Sequence, residues 1–138
     1  MRHLPLVILA AMLAWPLAGA HACSQADGAG SWSVAAAAPG RTGSAVPLRC
    51  RLLVDDQGGF QNGTACLDPQ NRRIAASGQL RLRPGSACLF EGYLAVGGLV
   101  SQVRQVMLDK SAGLLAGGVA ASGRPLPFQG SRRQPARG

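Results

Sequence analysis

Histidine is nearly absent, aromatic residues are few, carboxylates are outnumbered by arginine, and no C-x-x-C pair occurs. The two histidines, His3 and His21, both fall in the first 22 residues. There Arg2 and His3 lead into an apolar run from Leu4 to Leu17 that ends in Ala20-His21-Ala22. That pattern predicts a secretory signal with an A-x-A cleavage site. Pro5 and Pro16 interrupt the run, which falls short of the ~20 apolar residues a membrane span needs. Cleavage removes both imidazoles, so no mature serine or cysteine has a histidine base and no histidine metal site can form. The missing C-x-x-C argues against a thioredoxin-like site or a zinc knuckle.

The scarcity of acids excludes more chemistry. Six carboxylates are present, Asp27, Asp55, Asp56, Asp68, Asp109 and Glu91, and all but Glu91 fall in the N-terminal arm or at predicted turns. Glu91 sits mid-strand opposite the Phe90 face, where Arg81 or Arg83 is its natural neighbour. A glycosidase needs two carboxylates converging in a cleft, and this distribution offers none. Asp55, Asp56 and Asn62 lack the EF-hand spacing. The expectation is a protein without catalytic residues, metal or cofactor. Only Trp32, Tyr93, Phe60, Phe90 and Phe128 give the mature chain aromatic mass, too little for base stacking, so nucleic acid is not an expected partner.

Arginine and alternation are what the chain does have. Thirteen arginines stand against one lysine, Lys110, and the net charge of +8 predicts attraction to anionic membrane or lipopolysaccharide. From Ile74 to Val96 the pattern has period two on both sides of Pro84-Gly85, the mark of a β-hairpin. Leu80 and Leu82 face one way on its first arm, and Phe90 and Leu94 on its second. Val46, Leu48, Cys50, Leu52 and Val54 share another face, with Arg49 and Arg51 outward. Asp55-Asp56-Gln57-Gly58-Gly59 then turns the chain into a strand expected over Phe60 to Cys66.

Ser31 to Ala38 reads as a strand bounded by glycine and proline. Leu99 to Leu108 reads as a strand, although Leu99, Val103, Val106 and Met107 also fit a helical spacing. Gly113 to Ala121 returns as a Gly-rich strand, and Pro125 to Phe128 forms a closing one. About eight short strands in consecutive hairpins predict an all-β, single-domain, antiparallel up-and-down barrel, with a β-sandwich as the alternative.

The expected divisions are a signal peptide over 1–22, an extended N-terminal arm over 23–30, the barrel over 31–131 and a basic flexible tail over 132–138. Cys23, Cys50, Cys66 and Cys88 form an even set in an exported chain and allow three pairings. Cys50 with Cys66 is favoured, because the two lie on paired arms at comparable distance from their turn. Cleavage before Cys23 also leaves a cysteine at the new N-terminus, where an exported protein can carry a lipid anchor.

Gly30-Ser31-Trp32 at the head of the first strand resembles the G-x-W of the calycins, small barrels that include lipocalins and bacterial metalloprotease inhibitors. The resemblance implies that Trp32 closes the barrel floor and that an arginine after the last strand, Arg132 or Arg133, packs over it. Cys50-Arg51-Leu52 and Thr64-Ala65-Cys66-Leu67 are similar to the cysteine-bearing strands of the Inh-type inhibitors, whose N-terminal arm enters a protease cleft. Four cysteines instead of two, one of them in the arm itself, depart from that pattern.

The expected function is therefore that of an exported, non-enzymatic binding or inhibitory barrel of the periplasm or cell surface, with a secreted protease or envelope protein as partner. Its candidate contacts are Asp55, Asp56, Arg83 and Lys110 in loops at one barrel end. A lipocalin-like carrier and an envelope-associated structural protein are the alternatives.

Overall fold

Period-two alternation needs a second apolar surface to face, and this chain supplies it by rolling its sheet closed. A computed structural model describes residues 23–39, 44–121 and 124–133. The expected signal peptide, 1–22, and tail residues 134–138 lie outside the described residues. Eight antiparallel strands run in chain order: β1 (Gly30–Pro39), β2 (Ala45–Val54), β3 (Ala65–Leu67), β4 (Arg73–Leu82), β5 (Leu89–Val96), β6 (Leu99–Asp109), β7 (Leu114–Ala121) and β8 (Arg124–Arg132). Each pairs with the next and β8 returns to β1, which makes a closed barrel and not a sandwich. No helix among the described residues is long and apolar enough to cross a membrane.

Alternate residues of every long strand enter the barrel. Trp32, Leu52, Leu80, Phe90, Val106 and Phe128 are each at most 1% exposed, and they fill the interior. Burying side chains of this size contributes about 1.5–3 kcal/mol each. On β2 the inward set is Leu48, Cys50, Leu52 and Val54, with Arg49 and Arg51 exposed between them.

The helix-like spacing in β6 has a local cause. Gln105 adopts φ 53°, and the register slips between Arg104 and Met107 against β7. This bulge inserts one residue, so the inward positions run Ser101, Val103, then Val106, Leu108. A three-residue step inside a two-residue rhythm imitates a helix in the sequence.

Three expectations are corrected. The strand expected over Phe60 to Cys66 shrinks to the three residues of β3, because Phe60 makes only an isolated bridge to Val54 and Gln61 to Thr64 turn the chain. Most of β4 is left without a strand on that side, and the chain closes the seam by other means. Gly59 bridges Gln79, the Leu80 N–H donates to the Gly58 carbonyl, and the Gln25 amide bonds both the Leu80 carbonyl (2.9 Å) and the Leu82 N–H (2.7 Å).

Residues 23–30 are likewise not an extended arm. Gln25–Gly28 form one 3-10 turn that plugs the barrel end, where Gly28 lies under the Phe90 ring. Arg132, expected in the tail, is the last residue of β8.

Two disulfides link all four cysteines: Cys50 with Cys66 and Cys23 with Cys88. The β2–β3 register sets Cys50 directly opposite Cys66. Paired cysteines of this kind fit an oxidising, exported environment. The prolines of β8 are tolerated because its ladder with β1 ends at Ala35↔Gln129, two residues short of Pro127, which has no N–H to donate.

Candidate functional site

The plugged end gathers the residues singled out in the sequence, and most of them are spent on holding it shut. Trp32 is fully buried and its Nε1–H donates to the Gly28 carbonyl at 3.0 Å. The Arg132 guanidinium lies 4.7 Å over the indole and donates through Nη2 to the Asp27 carbonyl. Arg133 instead continues the backbone pairing, donating its N–H to the Ser31 carbonyl.

Lys110 pairs with Asp27 at 3.1 Å. The Ser24 backbone N–H, with help from Lys110, holds the Asp27 carboxyl below the ordinary aspartate range. Asp55 accepts the Gln57 and Gly59 N–H groups of its own loop, which leaves Asp56 exposed beside it. Arg83 is exposed at the β4–β5 turn. Of the four contact residues expected from the sequence, then, Asp55 and Lys110 are structural braces of this end.

Carboxylates are used up elsewhere in the same way. Asp68 accepts the Gln70 and Arg72 N–H groups and pairs with the Arg72 side chain at 2.7 Å. Burial works to raise its pKa, but the hydrogen bonds from Arg72 and Gln70 prevail and lower it. Asp109 takes hydrogen bonds from Ser111 and Ala112, which lower its pKa against a smaller opposing effect of burial. Acids capping turns at the rims cannot neutralise arginines on the walls. Among the described residues no three His, Cys, Asp or Glu side chains gather as a metal site would need.

The consequence is an arginine-lined hollow on the outer wall over β1, β2 and β3, with the first residue of β4 and the residue just past β8 at its edges. Arg49, Arg51, Arg73 and Arg133 border it, small residues including Ser33, Ala35 and Ala65 form its floor, and it holds about 570 Å³ open to solvent. The register explains the depth. Arg49 is flanked by Ala35 and Leu67, and Arg51 by Ser33 and Ala65, so long side chains rise beside short ones.

Among the described residues no carboxylate lines the hollow, and neither ion pair, Arg72–Asp68 or Lys110–Asp27, involves its arginines. Arg49 donates to the Asn71 side chain at 2.9 Å and Arg51 to the Ser31 hydroxyl at 3.4 Å, neutral partners that orient the guanidinium and leave its charge uncompensated. Sequence reasoning missed this cluster because its members are spread over 85 positions, Arg49 to Arg133. The available signal was the outward parity of Arg49 and Arg51 beside the Cys50–Cys66 pair.

Elsewhere on the wall, Met107 and Leu114 are about half exposed on neighbouring strands. Comparison with family models, with curated proteins and with solved structures returns no match.

Proposed function

We propose that this is an exported, non-enzymatic binding protein of calycin-like build that attaches by the outside of its barrel to the anionic, phosphate-bearing surface of the cell envelope. The observation that carries the reading is the hollow bordered by Arg49, Arg51, Arg73 and Arg133, with no facing carboxylate among the described residues. Guanidinium groups match phosphate with two parallel N–H donors, and they shed water more readily than an ammonium does. Trp32 under Arg132 fits the G-x-W floor of calycins. An interior filled by Trp32, Phe90 and Phe128 speaks against a lipocalin-like carrier.

Cys23, with its sulfur bonded to Cys88, supports export without a thioether lipid at that residue. The same bond, the plug and the Asp27–Lys110 pair speak against a mode in which the N-terminal arm enters a protease cleft. A second reading, a barrel that binds or inhibits a protein partner, draws support from the exposed Met107 and Leu114.

The test is sedimentation with vesicles of phosphatidylglycerol against vesicles of phosphatidylcholine. Each arginine near an anionic surface contributes about 1 kcal/mol, so Arg49→Gln with Arg51→Gln weakens binding about 30-fold. Binding to the zwitterionic vesicles, or binding that survives 1 M salt, where charges more than about 3 Å apart are screened, would defeat the reading.

A further inference from the structure

Sharing no lining residue with the arginine hollow, β4, β5 and β6 carry a second one with different chemistry. Its centre is Tyr93, 38% exposed, and the register sets Gln79 on one side of it and Gln102 on the other. The row beside it pairs Arg81 with Glu91, and Arg83, Arg104 and Gln105 complete the rim of a hollow of about 540 Å³. That volume lies within the ~300–1,000 Å³ typical of small-molecule sites. The bulge contributes directly. Gln105 at φ 53° sits in a conformation non-glycine residues seldom adopt, and bulges commonly re-aim a side chain beside a site.

Each residue type meets a different part of one ligand class. A sugar ring has an apolar C–H face, which an exposed phenol ring covers, and rows of neighbouring hydroxyls. Three amides, each able to donate and accept at once, suit hydroxyls better than they suit a plain anion. The three arginines exceed the single carboxylate, Glu91, so the pocket prefers a negative ligand. Gln79 already receives the Arg81 Nε–H at 3.3 Å, which presents amide and guanidinium as one array. We infer that the β4–β5–β6 hollow is a binding site for an acidic saccharide, with Tyr93 under the ring, Gln79, Gln102 and Gln105 on hydroxyls, and Arg81, Arg83 and Arg104 on the carboxylate. This site is independent of the arginine hollow and of the envelope reading.

Titration calorimetry on the mature, disulfide-bonded protein tests it, with trigalacturonate as probe and maltotriose and triglutamate as comparators. Trigalacturonate binds, and each comparator binds at least about tenfold more weakly, since one lacks the acid and the other the ring. Tyr93→Ala weakens trigalacturonate about tenfold while Tyr93→Phe keeps it, and Arg49→Gln with Arg51→Gln leaves it unchanged. Gln102→Ala serves as the second variant if Tyr93→Ala fails to fold, with a loss of the same order. No heat with trigalacturonate at millimolar concentration, equal binding of triglutamate, or indifference to both Tyr93→Ala and Gln102→Ala would overturn the assignment.

Discussion

Trp32 fills the barrel floor, donates its indole N–H to Gly28 and takes the Arg132 cation on its face, so one side chain ties β1, β8 and the plug together. Trp32→Phe keeps an aromatic core but leaves the buried Gly28 carbonyl unpaired, an expected loss of about 1–3 kcal/mol in urea unfolding. Arg132→Met keeps the covering stem and loses the cation, for about 0.5–1 kcal/mol, because the guanidinium is exposed. Carboxylates set the acid limit. Asp27, Asp68 and Asp109 all have lowered folded pKa values, so each contributes stability that is full above its ordinary value and is lost as pH falls through the folded one. The urea midpoint should therefore stay level down to about pH 5 and fall below about pH 4. Asp27→Asn, which keeps the acceptor for Ser24 but loses the charge facing Lys110, should lower the midpoint at neutral pH and flatten that acid limb. At this scale the arginine over Trp32 was an implication of the calycin resemblance and not of composition or spacing. The resemblance could not choose between Arg132 and Arg133, because side-chain parity at the end of β8 depends on its register with β1.

Strands were legible wherever alternation was uninterrupted, as in β2, β4 and β5. They were misjudged where pairing partners, and not the strand's own residues, fix the length. Phe60 to Cys66 looks extended, yet Gly63 takes φ 97° in a turn and only Ala65–Leu67 pair on both sides. Phe60 then packs on Gly78, where an added Cβ would lie 2.9 Å from its ring. The β4–β5 contact is closer still. A Cβ on Gly92 would stand 1.9 Å from the Gln79 carbonyl oxygen, which is backbone and cannot rotate away. Gly92→Ala should therefore cost more than a usual overpacked core position, upwards of about 3 kcal/mol. Because the displaced carbonyl belongs to Gln79, amide exchange should quicken along β4 and β5 before β7 and β8. Equal protection in all four strands of the variant would show that the strain is not confined to the β4–β5 contact. Nothing in the sequence around Gly92 announces this contact, since Glu91-Gly92-Tyr93 alternates as well as any neighbouring triplet.

For the whole molecule, the question is what holds a small barrel closed when its aromatic mass is so thin. Cys50–Cys66 joins strands that already pair, and it closes a loop of 16 positions; Cys23–Cys88 fastens the plug across 65. In the chain-entropy account the shorter loop contributes about 3 kcal/mol and the longer about 4. The two bonds also restrain different events. Opening Cys50–Cys66 frees the three-residue β3, the weakest link between β2 and β4, whereas opening Cys23–Cys88 releases residues 23–29 and with them the Asp27 carbonyl under Arg132 and the Gln25 amide that substitutes for a strand along β4. Cys23→Ser with Cys88→Ser should then lower stability by about 4 kcal/mol and expose the Trp32 indole to quencher below the unfolding transition. Cys50→Ser with Cys66→Ser should cost about 3 kcal/mol and leave Trp32 shielded until the barrel opens as one unit. Fluorescence quenching at a urea concentration below either midpoint separates the two. If Trp32 is equally accessible in both variants, the plug is not an independently held part of the fold, and the wall hollows would have to be treated as coupled to it.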